Sequence, residues 1–161
     1  ITYKHITMGA KVKHPRKKFL WSIMFPKHPI NTYLFQSCTL PDIEIDQVAH
    51  GDVNRDVKTA GRVTIGNLIV EKLMTTAGSD TWLHDWLYSC QDHIVGGGLV
   101  PSQYWETAIV NELAEDGVSV LNTHVFEEVW PCKITGLDLD RMASENTIES
   151  IEFSVGTADK Y

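Results

Sequence analysis

The chain has 161 residues, 43% hydrophobic and 22% charged, with a formal net charge of −7. That is one ordinary domain's worth of chain, too short for two comfortable ones. No run of about 18 apolar residues exists, so neither a spanning helix nor a membrane anchor is expected, and no leader-like apolar segment follows the basic start.

The charge is distributed unevenly. Residues 1–41 hold seven Lys or Arg and no acid, whereas the other 120 residues hold seven basic and all 21 acidic residues. Residues 1–17 show no stable period, so they are expected to be an extended basic arm carrying Lys11, Lys13, Arg16 and Lys17, with Lys18 at its junction. Such an arm either seeks an acidic surface on a neighbour or is simply solvated. The negative overall charge argues against a dedicated DNA binder.

Residues 18–161 are expected to form a single β-rich domain. Residues 18–25 (KFLWSIMF) are nearly continuously apolar and bounded by Pro26 and Pro29, as a well-buried strand would be. Residues 33–40 form a second candidate strand. Residues 42–49 alternate, with Ile43, Ile45 and Val48 expected on one face and Asp42, Glu44 and Asp46 on the other. Residues 50–62 are polar and rich in turn formers, and are expected to be a protruding loop before the β pattern resumes at 63–74.

Residues 79–91 (SDTWLHDWLYSCQ) read as a helix capped by Ser79 or Asp80, with Trp82, Leu83, Trp86, Leu87 and Cys90 as one apolar stripe. Gly96-Gly97-Gly98 is expected to be a flexible loop. It is not a phosphate loop, because no Gly-Lys-Ser/Thr follows. Strands at 105–114 and 119–129 are joined by Glu115-Asp116-Gly117, whose Asp-Gly is a hairpin turn signal. A last hairpin pairs residues 133–139 with a return strand at 148–155, where Ile151, Phe153 and Val155 alternate with Glu152 and Ser154. The outline is mainly β with one α-helix, an antiparallel sandwich or barrel.

Chemistry-bearing patterns are weak. The seven histidines lack metal-ligand spacing, His84-Asp85 lies on the helix surface, and no GxSxG occurs. Acidic pairs such as Glu127-Glu128 and Asp138/Asp140 are expected by chance in so acidic a chain. No cofactor is implied. Cys38, Cys90 and Cys132 are odd in number and lack CxxC spacing. Either they stay reduced, or one forms a disulfide to another chain in oxidising surroundings.

The order of several landmarks resembles the tube proteins of contractile phage tails and related injection systems. They are the strand at 18–25, Leu40-Pro41-Asp42, Lys58-Thr59-Ala60-Gly61, Gly66-Asn67-Leu68-Ile69-Val70, the Trp-Leu helix, and a final hairpin with Trp130-Pro131, Gly136 and the return IESIEF. Coverage is roughly residues 18–157. The longer basic arm and Gly96–Gly98 have no counterpart in the pattern.

The resemblance implies a non-enzymatic subunit whose strands complete a hexameric β-barrel ring, stacked into a tube that conducts double-stranded DNA. Its partners would be copies of itself, a tail sheath protein, and baseplate and tail terminator proteins. The setting would be a virion tail assembled in the host cytoplasm. In that frame Glu44, Asp46, Asp42, Glu149 and Glu152 are expected to face the lumen, since an acidic wall repels phosphate where a basic one would bind it. Asp52, Arg55, Asp56, Lys58 and Arg62 are expected at the contact between rings. Lys11, Lys13, Arg16, Lys17 and Lys18 would reach a neighbour or the sheath. A bacterial injection-system tube that delivers proteins, and a small β-barrel ligand-binding protein, remain the alternatives.

Overall fold

The computed structural model describes residues 15–28, 35–75 and 81–161. In chain order the elements are β1 (Trp21–Met24), β2 (Phe35–Thr39), β3 (Ile43–Gly51), β4 (Asp56–Ile65), β5 (Leu68–Leu73), α1 (Trp82–Cys90), α2 (Pro101–Tyr104), β6 (Glu106–Leu113), β7 (Val120–Ile134), β8 (Ile148–Ser154) and β9 (Thr157–Lys160). The architecture is mainly β and antiparallel. Seven strands form one sheet in the order β1-β6-β7-β8-β5-β2, with β9 also on β7, while β3 and β4 form a separate two-stranded ladder.

The 15-residue β7 joins the two halves of the large sheet. Its first half pairs with β6 and β9, and its second half, Trp130 to Ile134, pairs with β8. Glu128 at the junction has φ 56°, a left-handed conformation that bends the strand. Both halves contribute to one core. Ile23 and Phe25, Ala108 and Val110, and Phe126 and Val129 meet Phe35, Leu68, Val70, Ile151 and Phe153.

Helix α1 covers this core with Leu83 and Trp86, and Trp86 lies 5.6 Å from Phe153 between ring centroids. The Trp stripe is therefore packing, as its spacing predicts. Trp86 Nε1 donates to the Tyr104 carbonyl at 2.8 Å, tying α1 to α2. Thr81 holds the N-cap position without a side-chain cap bond; the expected caps Ser79 and Asp80 lie outside the described residues.

Several expectations need correction. The strand at 18–25 is an edge strand with only one face covered, since Ile23 points in while Ser22 and Met24 face solvent. The helix is not alone, because α2 follows it. The outgoing strand expected at 133–139 is the end of β7 and stops at Ile134, leaving Leu137 and Leu139 exposed. The turn at 115–117 forms as expected, with Asp116 Oδ1 accepting from Val118 N at 3.0 Å and Ser119 N at 2.9 Å.

Candidate assembly surfaces

The expected long loop at 50–62 is mostly strand. Strands β3 and β4 pair from Ile43↔Ile65 to Gly51↔Asp56, leaving only residues 52–55 as the tip. There Asp52 N donates to the Arg55 carbonyl at 2.8 Å, and Asp52 Oδ1 accepts from Val53 N at 2.7 Å. At nine residues and about 3.4 Å per residue, the hairpin reaches roughly 30 Å. Every residue of β3 is exposed, and β4 is exposed except at Gly61 and Ile65. Among the described residues, the two strands ladder only with one another.

The period of 2 sorts this hairpin into two chemically different faces. One carries Ile43, Ile45, Val63 and Ile65 near its base, with Ile43 60%, Ile45 53% and Val63 59% exposed. The other carries Glu44, Asp46, Thr64 and Thr59. The ladder shifts register after Ile45, where Gly61 and Arg62 oppose Asp46. Val48 belongs with Asp46, not with Ile43 and Ile45 as expected: a Cβ at Gly61 would meet Asp46 Cβ at 3.2 Å and Val48 Cγ2 at 3.1 Å. Of this face only Ile65 packs against the core, as Trp82 does, while Ile43 and Ile45 do not join it.

The charged residues expected at one contact are spread along the hairpin. Asp52 and Arg55 form the tip, Asp56 and Lys58 lie opposite Gly51 and Ala49, and Arg62 is at the register shift. Val53, 92% exposed at the tip, carried no sequence signal because a lone valine in a polar run fits no period.

A second polar surface is the solvent face of β2, β5, β8 and the end of β7. Directly opposed residues share a face, so the register places Thr39, Ile69, Glu152 and Lys133 in one row and Ser37, Glu71 and Ser150 in the next. Glu152 thus lies on this outward face, and Glu71 joins it. Glu71 was missed because a single acid in the mostly apolar LIVEKL marks no face.

Glu149 does not lie there. It is 1% exposed on the inward face of β8, in phase with Ile151 and Phe153, and directly opposite Lys72, which is 0% exposed. His84 Nε2 from α1 is 3.4 Å from Glu149 Oε1, although that oxygen has no well-aligned hydrogen bond. Glu149 and Lys72 stand side by side on the inward face of the sheet, and the approach of His84 to Glu149 links that face to α1. Glu149 therefore faces inward, not toward the lumen as expected of it, and His84, half-exposed on α1, turns toward it.

The remaining candidates are dispersed. Lys11 and Lys13 lie outside the described residues. Arg16 Nη1 pairs with both carboxylate oxygens of Glu112 at 3.1 Å, which fastens the end of the arm to its own β6. Lys17 and Lys18 are exposed in the following turn. Cys38, Cys90 and Cys132 are free thiols on different elements. Burial pushes Cys38 up to about 12, so it holds almost no reactive thiolate. Burial also raises Cys90 and Cys132, and Cys132 is the exposed one of the three. Among the described residues, no group of three or more His, Cys, Asp or Glu is placed to hold a metal ion.

Among the described residues, the long hairpin thus ladders only with itself beside a well-packed body. Residues 17–157 match the family described as T4-like virus tail tube protein gp19. The chain belongs to that tail tube family. It is a structural tube subunit of the contractile-tail class, not an enzyme. None of the curated proteins compared matches it by sequence.

Solved structures of low identity share the fold. The anti-feeding prophage tube-terminating cap superposes with a TM-score of 0.78 at 16% identity, covering 97% of this chain and 99% of that one. The sheath–tube complex of an extracellular contractile injection system, PVC, in its extended state gives 0.76 at 18% identity, covering 93% of each. The sheath/tube terminator of the same system gives 0.77 at 18% identity, covering 93% and 99%.

Proposed function

We propose that this tube subunit stacks as hexameric rings around an acidic lumen and conducts double-stranded DNA from a contractile phage tail. The observation that carries the reading is the β3–β4 hairpin. A lone two-stranded ladder is at best marginal in water, and its unpaired edges and bare Ile43, Ile45 and Val63 invite completion by another chain. Copies related by rotation supply that cover and close the edges into a ring, while head-to-tail contact between rings propagates.

The two hairpin faces then have different tasks. The isoleucine face is covered by neighbouring copies, and Glu44, Asp46 and Asp42 face the bore together with Glu152 and Glu71 of the polar sheet face. Negative charge there denies phosphate a binding surface and leaves DNA a hydrated path. The tip, Asp52 to Arg55, meets the adjoining ring. The outer surface would take a sheath protein, and the ends of the stack a terminator and a baseplate.

A second reading is supported by the solved structures that share the fold, which come from an anti-feeding prophage and an extracellular injection system. The same tube would then deliver protein. Negative-stain electron microscopy of the purified chain tests the shared part. Hollow filaments of sixfold rings are expected, and a monodisperse monomer at high concentration would overturn it. Particles isolated from the source separate the two readings, because only a phage tail carries a DNA-filled head.

A further inference from the structure

The triple glycine, expected to be a loose loop, lies in an ordered turn. Asp92 Oδ1 accepts from Ile94 N at 2.8 Å, Asp92 N donates to the Gly97 carbonyl at 2.7 Å, and Gly96 N donates to the Asp92 carbonyl at 2.9 Å. Leu99 N donates to the Ser89 carbonyl at 2.9 Å, folding the turn back onto the end of α1. Gly96 has φ +77°, and a Cβ at Gly98 would overlap the Cys90 carbonyl. Glycine is required at both positions to close this turn.

What the turn holds out is apolar. Ile94 and Val95 are each 82% exposed at its tip. Two aliphatic side chains held in water by a hydrogen-bonded turn form a knob without a socket.

A socket exists at the other end of the same molecule. Beyond the Leu113 end of β6, Leu20, Leu113, Ala114 and Leu121 line a hollow of about 290 Å³, with Arg16, Lys17 and Glu115 on its rim. The end of α1 lies beside the Glu106 end of β6, since Ser89 and Glu106 line one cleft, and Leu99 N ties the turn to the Ser89 carbonyl there. The eight residues of that strand place knob and hollow at opposite ends, roughly 25 Å apart along the strand, so one copy cannot join its own pair. The knob is flanked by the carboxylate of Asp92 and the hollow by the exposed cation of Lys17. Arg16 is paired with Glu112, and Glu115 stands at the hollow's other side.

We infer that Ile94 and Val95 of one copy seat in the Leu20–Leu113–Leu121 hollow of a second copy. The inference rests on the tube reading and adds to it a contact independent of the β3–β4 hairpin. An apolar knob on one end that fits a hollow on the other is a heterologous contact, which continues from copy to copy instead of closing a pair.

The test is a mixed cross-link. Val95→Cys and Leu121→Cys variants are assembled together at equal ratio, oxidised and run on non-reducing gels. A disulfide-linked dimer is expected in the mixture, above the background that the three native thiols give in wild type and in each variant alone. A Val53→Cys variant mixed with Leu121→Cys should give only that background, and an equal yield there would overturn the contact. Ile94→Asp/Val95→Asp should keep the circular dichroism of the wild type while sedimentable polymer falls roughly tenfold or more; wild-type polymer yield would overturn it. If wild type polymerises but the mixed dimer is missing, the contact fails and the tube reading stands. If wild type never polymerises, the tube reading fails, and a missing mixed dimer at high concentration overturns the contact as well.

Discussion

The packed body and the β3–β4 hairpin have nearly opposite relations to solvent. In the body, inward residues such as Phe25, Leu68, Ile151 and Phe153 are fully buried by the chain's own strands and helix. In the hairpin, residues of the same apolar kind, Ile43, Ile45 and Val63, stay more than half exposed. A hydrophobic side chain that stabilises a fold is covered within its own copy, whereas one that stabilises an assembly is bare until copies meet. The contrast predicts where a substitution will be felt. Phe153→Ala removes a ring packed against Phe25 and Trp86 and should cost about 3–5 kcal/mol of monomer stability in denaturant titration. Ile45→Ser should leave the monomer within about 0.5 kcal/mol of wild type yet abolish sedimentable polymer. Equal destabilisation by the two would erase the distinction.

The polar link inside the body sharpens the same comparison. Glu149→Ala removes a fully buried side chain that faces His84 of α1 at 3.4 Å and should cost about 1–3 kcal/mol, measured by thermal unfolding of the monomer. Glu152→Ala, three positions along the same strand on the outward face, should change stability by no more than about 0.5 kcal/mol. Were both silent, the inward placement of Glu149 would be wrong.

How much of this was legible depends on where the burying partner lies. The alternation of Ile151, Phe153 and Val155 and the stripe of α1 are visible because their partners belong to the same chain and leave a local period. Glu149 shares the parity of Ile151, but an acid in a core is credible only once Lys72 is found across the ladder, and that register is not local. Residues 50–62 read as a loop because a strand is recognised by its covered face, and nearly all of these residues are exposed on both faces. Strand β7 runs on through Pro131 because a register shift there accommodates a residue without an N–H. Strand β9 and helix α2, four residues each, are too short to carry a period.

On the hairpin's acidic face the expected effect is smaller and electrostatic. Glu44→Lys/Asp46→Lys should still assemble, since the isoleucine face is untouched. In assembled particles DNA release should slow about tenfold at low salt and recover as salt shortens the range of the field. Unchanged release kinetics in intact particles would remove these residues from the bore.

The smallest effect is expected where the arm meets the body. Burial opposes ionisation of Glu112, but the hydrogen bond from His124 at 3.2 Å and the Arg16 guanidinium outweigh it and hold the carboxyl below its usual range. A carboxylate whose folded value is depressed adds stability above the unfolded carboxylate range, and this is lost as pH falls through the folded value. The pair is solvent-exposed, so Arg16→Ala should cost less than about 1 kcal/mol at neutral pH. That difference from wild type should vanish in acid, once Glu112 is protonated, and shrink in high salt. A larger, pH-independent loss would mean that Arg16 acts through its packed stem beside Leu20 and Leu113 rather than through its charge, tying the arm to the hollow instead of to Glu112.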